Sequence, residues 1–244
     1  MKTATNTFHA AHNYGSALQS YALQQTIKGM GHENQIINFR TPRQIDQYNI
    51  FTKRNGFKYL VKNTAKLFNY SAFKKKHAKF EAFIKEKLSL TEKTYKSLEE
   101  LKKENFEFDC YIAGSDQIWN PFPLDFDWSY YLPFVNNGKK ISYAPSFGPL
   151  SKMGDNETLE KIKENLKTFD SVTVRDAEGA KKLGDLLGVE AKVVLDPTLL
   201  LGKEEWEKLL PEKRSVEGDY IFFYSLFADY MLIQLIQPPL QFAI

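Results

Sequence analysis

From Phe108 onward the sequence alternates strand-like and helix-like segments so regularly that few architectures can accommodate it. Phe108 to Ala113 predicts a strand cut by Gly114-Ser115-Asp116. Lys140 to Ala144 predicts a second, cut by Pro145-Ser146-Phe147-Gly148. Asn156 to Lys167 is helical, with Leu159, Ile162 and Leu166 on one face. Ser171 to Val174 reads as a strand, and Arg175-Asp176 leads into a helix carrying Ala180, Leu183 and Leu187. Lys192 to Leu195 is a further strand that stops at Asp196-Pro197. Strands separated by helices favour an α/β domain with a mainly parallel sheet, because a parallel pair needs a long crossover between its members.

The first hundred residues start the same way. Thr3 to Phe8 is β-prone and meets the turn Asn13-Tyr14-Gly15-Ser16. A helix follows, with Leu18, Tyr21, Ala22, Ile27 and Met30 at helical steps, and Gly29 and Gly31 end it. Gln35 to Phe39 is the next strand, closed by Pro42. A basic helical insertion then occupies residues 52–103. From Lys53 to Lys103 there are fifteen Lys or Arg against five acids, a local +10 in a chain whose net charge is only +3. Such a stretch can attract an anionic partner: nucleic acid, a membrane surface or a phosphorylated substrate. The plainer reading is a pair of solvated helices, because Phe73, His77, Phe80, Phe83, Ile84 and Leu88 repeat at near-helical spacing and leave the lysines to the wet face. Nucleic acid is not expected, since no recognised fold with base-stacking aromatics is evident.

Composition excludes several classes. The 244 residues are 43% apolar and 26% charged, a globular profile with enough length for a real core. The single cysteine, Cys110, builds no disulfide framework and fits a reducing compartment. The N-terminus has no apolar h-region, and no run of ~20 apolar residues suggests a membrane span, so a cytoplasmic protein is expected. His9, His12, His32 and His77 lack zincin spacing, and neither a G-x-S-x-G elbow nor a Walker A loop is present. No metal and no cofactor are expected. Near the C-terminus, Trp206 to Leu210 ends a helix, 211–218 reads as a linker, and Asp219 to Ser225 reads as the first strand of something new. After Arg214 there is no Lys or Arg. The expected organisation is one domain over 1–210 and the start of a second, cut short, over 219–244.

In an open parallel sheet, ligands sit beyond the carboxyl ends of the strands. After the first strand come His9, Asn13, Tyr14, Gly15, Ser16 and Gln19. Gly15 would let the backbone approach a ligand and the helix N-terminus would favour an anion, or Asn13 or Ser16 simply caps the helix. Gly114, Ser115, Asp116, Gln117 and Trp119 can offer backbone N–H groups, a carboxylate and a stacking face, or else Asp116 caps a turn and Trp119 fills the core. Ser146, Phe147 and Gly148 end the following strand. Asp176 reads as a helix N-cap. Arg175 can grip phosphate or carboxylate, or pair with a loop acid such as Asp196.

These blocks resemble the polysaccharide pyruvyl transferase family. The likeness begins with Thr7-Phe8-His9 and Asn13-Tyr14-Gly15-Ser16-Ala17-Leu18-Gln19, and continues through Gly114-Ser115-Asp116-Gln117-Ile118-Trp119-Asn120. Ser142-Tyr143-Ala144-Pro145-Ser146-Phe147-Gly148, Val174-Arg175-Asp176 and Leu195-Asp196-Pro197-Thr198 follow in family order, over roughly residues 3 to 202. The resemblance implies a Rossmann-like sheet like the N-terminal half of a two-domain GT-B-type fold. It also implies transfer of a pyruvyl group from phosphoenolpyruvate to saccharide hydroxyls in cell-surface polysaccharide biosynthesis. The partners so implied are phosphoenolpyruvate and a saccharide acceptor, with a homo-oligomer as an option. Asp116 is then expected to orient an acceptor hydroxyl, with the other strand-end residues lining the cleft. In such families the donor-holding residues lie mainly in the C-terminal half, so an inactive remnant or saccharide-binding half-domain is one alternative expectation. A sugar-nucleotide glycosyltransferase of similar fold is the other.

Overall fold

The computed structural model describes residues 1–53, 56–148, 155–213 and 216–220. Strands β1 (Lys2–Asn6), β2 (Glu33–Ile36), β3 (Cys110–Ala113) and β4 (Lys139–Ser142) form one sheet in the order β2-β1-β3-β4. Every pair in it is parallel, with Ala4 opposite both Gln35 and Tyr111. The two central strands are buried from Thr3 to Asn6 and from Cys110 to Ala113, as expected where helices cover both faces of a parallel sheet.

Alternation along β3 sorts its side chains between two cores. Cys110 and Ile112 meet Leu23 and Ile27 of α1 (Tyr14–Gly29) on one face. Tyr111 and Ala113 join the larger cluster on the other, with Phe39, Trp119, Tyr130, Tyr131, Phe134 and Phe147. Helix α6 (Asn156–Leu166) closes that side. Asp155 caps it by accepting from Thr158 N at 2.9 Å, and Ile162 and Leu166 are its buried residues.

The second strand differs from the expected Gln35 to Phe39. β2 ends at Ile36, and beyond it Phe39 bridges to Tyr95 while Ile36 bridges to Leu90. The segment leaving the basic insertion thus returns to the sheet edge and takes the backbone groups that a longer β2 would have used. Pro42 does not close a strand. It stands at the first position of α2 (Pro42–Tyr48), where Thr41 caps by accepting from Gln44 N at 3.1 Å. The insertion itself holds α3 (Phe57–Leu67), α4 (Tyr70–Lys87) and α5 (Leu98–Lys102). On α4 the buried residues are Phe80 and Ile84, whereas Phe73 is exposed, because the apolar face meets the sheet domain only along the helix's second half.

The expected strands after α6 are much shorter than read. β5 (Thr173–Val174) and β6 (Lys192–Val193) form a separate parallel pair. Ser142 Oγ donates to Thr173 O and accepts from Thr173 N, and Thr173 Oγ1 donates to Ser142 O, so hydroxyls replace a ladder between β4 and β5. Helix α7 (Ala177–Lys182) runs on into a π-helical turn, Leu183–Leu187. The chain divides into two compact units, Met1–Gly202 and Lys203–Ile244. The second begins with α8 (Lys203–Glu207), so the helix expected to end at Leu210 stops three residues earlier. The expected strand Asp219 to Ser225 lies, from Ile221 on, outside the described residues. Among the described residues no helix is long and apolar enough to cross a membrane.

Candidate functional site

β1 has β2 on one side and β3 on the other, so the connections that follow β1 and β3 leave the sheet in opposite directions. The loops beyond their carboxyl ends, residues 7–13 and 114–120, therefore flank the point at which strand order reverses, the usual position of a ligand crevice in such sheets. Two residue sets far apart in the chain meet here. Ser16 Oγ donates to Asp116 Oδ2 at 2.5 Å, joining the first turn of α1 to the β3 loop. Beneath this bond Thr7 Oγ1 donates to Ser115 O at 2.9 Å, and Gln19 Nε2 donates to Thr7 Oγ1 at 3.1 Å. Asn13 caps α1, accepting from Gly15 N at 2.8 Å and from Ser16 N at 3.3 Å.

Asp116 has φ +80°, a left-handed conformation that a short polar side chain tolerates better than most. Its other carboxylate oxygen accepts from its neighbour Gln117 N at 2.7 Å, and its backbone carbonyl accepts from Ser146 N at 2.8 Å. The third strand end is thereby tied to the second. Ser146 Oγ donates to Asp176 Oδ2 at 2.6 Å and accepts from Gly148 N at 3.1 Å. Asp176 occupies the expected cap position of α7, yet its carboxylate serves Ser146 and makes no capping bond. Two glycines are sterically required. A Cβ on Gly114 would lie 2.8 Å from Thr5 Cγ2, and one on Gly148, at φ +68°, would lie 2.4 Å from Asn120 Nδ2.

The predicted residues separate by depth. Asn13, Tyr14, Gly15 and Gln117 are exposed and Asp116 is half-buried, whereas Ser16, Gln19, Gly114, Ser115, Ser146 and Phe147 are buried. Trp119 corrects the sequence reading. It is wholly buried, stacks on Tyr131 at 5.3 Å, packs beside Phe147 and donates from Nε1 to Tyr130 O, so it presents no face to a ligand. It fills the core because the β3 loop folds back under the turn at Trp128–Tyr131. Arg175 is paired with the loop acid Asp196, its Nη1 donating to Oδ2 at 2.7 Å. Against the opposing effect of burial, two bonds from Thr198 and then the Arg175 bond hold the Asp196 carboxyl below its usual range. His9 is fully buried, touches Thr7 O and Asn38 Oδ1, and is pushed down to about 4 by burial and then by the charge of Arg40. It is neutral near pH 7.

Around the junction lies a rim that spacing did not reveal. Tyr48 Oη donates to Asp125 Oδ2 at 3.0 Å. Burial, then the Asp125 charge, pushes the phenol up, and the Asp116 charge also reaches both groups. His12 lies between Tyr48 and α4, with its ring 4.5 Å from that of His77 and its Nε2 2.8 Å from Glu81 Oε1. Ligand atoms of His12, His77 and Glu81 fall within 4.8 Å of one another, a donor set that can hold a metal ion where none was expected. Arg40 Nη1, however, takes both Glu81 oxygens at 3.0 and 3.1 Å. The His12 bond, then Arg40, hold the Glu81 carboxyl down at about 2 against the opposing effect of burial. The one local signal was the four-residue step from His77 to Glu81, which places both on one side of a helix. The partners of Glu81, Arg40 and His12, are 41 and 69 residues away.

A cavity of about 830 Å³ opens elsewhere, beside the first residues of β1 and β2, lined by Lys2, Lys28, Glu33, Lys93 and Glu104. A second, of about 610 Å³, borders Arg40 and Glu81. The first lies at the wrong end of the strands for a parallel-sheet ligand site, and the convergent polar groups are at the junction.

An open four-stranded parallel sheet flanked by helices, with polar loops meeting at its strand-order reversal, defines a protein of the α/β class. The chain belongs to the polysaccharide pyruvyl transferase family, whose model matches residues 13–240. That span begins at the cap of α1, takes in the ends of β3 and β4 but not that of β1, and runs past the composition break at Arg214. No curated protein and no solved structure matches the chain.

Proposed function

We propose that the junction of the β1 and β3 loops binds a saccharide acceptor, and that the chain takes part in moving a pyruvyl group from phosphoenolpyruvate to that saccharide. The observation that carries the acceptor assignment is the Ser16–Asp116 bond. A hydroxyl already donates to this half-buried carboxylate, and exposed Asn13, Tyr14 and Gln117 adjoin the two bonded residues in sequence. A sugar hydroxyl displacing or joining Ser16 would make the same bond. Family membership supports the reaction. In it, a proton adds to the donor's methylene carbon and an acceptor hydroxyl bonds to the resulting cationic carbon, losing its proton. A second hydroxyl then closes the ketal as the carbon–oxygen bond to phosphate breaks and phosphate leaves. Asp116 fits the role of fixing the attacking hydroxyl and easing loss of its proton. The carboxyl-edge crevice is also the arrangement expected of one half of a GT-B-like pair of domains.

The test is release of phosphate from phosphoenolpyruvate by the purified chain with saccharide acceptors, wild type against Asp116→Asn. Asn tolerates the left-handed backbone, so the fold survives, and loss of the positioned carboxylate should lower the saccharide-dependent rate by about 10²-fold. Equal rates in the two proteins would defeat the role of Asp116. One observation favours a second reading, saccharide binding without turnover: Arg175, the cation placed to grip phosphate, is engaged by Asp196. Saccharide affinity that Asp116→Asn weakens, with no phosphate release from a folded protein, would establish that reading in place of the first.

A further inference from the structure

Helix α3 is built inside out. Two of its polar residues face the protein: Asn63 Nδ2 donates to Thr52 O, Asn63 Oδ1 accepts from Thr52 N, and Lys66 Nζ donates to Ile50 O at 2.6 Å. Its described aliphatic residues face outward. Leu60 is 63% exposed, Val61 51%, Leu67 61%, and Phe68, just beyond the helix, 85%. Leu60, Val61, Leu67 and Phe68 recur at steps of one, six and one residues, which on a 3.6-residue helix places all four in a single stripe. Further apolar rings are exposed in the same segment: Tyr70 stacks on Phe51 at 5.7 Å, and Phe73 at the start of α4 lies beneath Lys66 Nζ. A helix of a soluble monomer normally turns such a stripe inward.

The charge around the stripe identifies what covers it. From Lys53 to Phe80 there are nine Lys or Arg and no acid. Lys53, Lys74, Lys75 and Lys79 are exposed. A second copy of the same face would bring like charges together, and nucleic acid would match the lysines but leave Leu60, Val61 and Leu67 unsatisfied. An anionic bilayer uses both properties, taking the apolar stripe at the acyl boundary and the lysines among its headgroups. We propose that the α3–α4 segment docks this chain on the surface of an anionic membrane.

The experiment is flotation of the full chain with phosphatidylglycerol-containing vesicles and with pure phosphatidylcholine vesicles, at low and high salt. The expected result is association with the anionic vesicles only, weakened by salt. Lys74→Gln, Lys75→Gln and Lys79→Gln should each lower the partition coefficient about fivefold. Leu67→Ser with Phe68→Ser should abolish binding while circular dichroism stays unchanged, since both side chains are already in solvent. The proposal is overturned if folded protein does not float with anionic vesicles, or if both sets of variants bind like wild type. It is equally overturned if the serine variant's defect is loss of a dimer, or if RNA competes the chain off the vesicles.

Discussion

The strand-end junction and the α3–α4 insertion invert each other. At the junction polar side chains are drawn inward: Thr7, Ser16, Gln19 and Ser146 are buried and each has a hydrogen-bond partner within the domain, while Gln19 Oε1 and Ser115 Oγ are buried without one. On the insertion apolar side chains are turned outward while Asn63 and Lys66 hold the helix to the loop below. Burying polar groups is unfavourable unless they are paired, and exposing an apolar stripe forgoes the main force of folding. An exposed stripe is not what stability alone would select, and the roles proposed for the two regions differ accordingly. The junction suits a small polar ligand and the insertion an extended surface.

The contrast is sharpest in the platform under the junction. Trp119 is buried against Tyr131, Phe147 and Phe169, so Trp119→Ala should destabilise the domain by about 3–5 kcal/mol, read as a shift in the urea midpoint. A small shift with a large loss of saccharide affinity would mean that the indole faces a ligand after all. Sequence patterning could not separate these roles. The Gly114 to Asn120 loop has the same composition whether its tryptophan points up or down, and what decides is the turn at Trp128–Tyr131, which folds against it.

His9 gives the next largest effect. Its folded pKa is about 4 against an ordinary 6.5, so between those values the unfolded chain binds a proton that the folded chain refuses. Stability contributed by the neutral ring is complete above pH 6.5 and falls as pH drops toward 4, by about 3 kcal/mol in all. Urea titrations of wild type and His9→Gln across that window should diverge, with the variant flatter. Parallel curves would show that the ring gains a proton without leaving its place beside Thr7 and Asn38.

Much of the fold was legible because it is local. Strand-helix alternation located β1, α1, β3, β4 and α6 within a few residues, and Asn13 was a visible cap. What escaped notice is carried by partners remote in sequence. The Ser16–Asp116 bond spans 100 residues and the His12–Glu81 pair 69, distances over which periodicity carries no information. β5 was read too long because hydroxyls of Ser142 and Thr173 stand where ladder bonds would, and no propensity records that exchange. Arg175 was read both as an anion grip and as an ion-pair partner, and only Asp196's position decides.

Glu81 joins the two regions, being a residue of the insertion that reaches His12 beside the junction. Its carboxyl, held at about 2, adds stability above its ordinary value near 4.5, and that stability is lost as pH falls toward 2. The side chain is 37% exposed, so solvent screening reduces the benefit, and Glu81→Gln should lower stability by about 1 kcal/mol at neutral pH. A larger loss, with the wild-type pH dependence retained, would place the effect in α4 packing and not in the His12 and Arg40 bonds.

The smallest expected effect is the most discriminating. Leu60 sits in mid-helix on α3 with most of its surface in solvent, so Leu60→Ala removes little buried area and substitutes a better helix former. Its stability should stay within about 0.5 kcal/mol of wild type, whereas a leucine packed in a core costs about 2–5 kcal/mol on the same change. A value in the core range would mean that part of this chain covers the stripe in solution, and the insertion would then be an ordinary packed hairpin obeying the same rule as the junction's platform. A value near zero keeps the two regions opposite: in one the domain has enclosed its polar groups, and in the other it has left its apolar ones for a partner to cover.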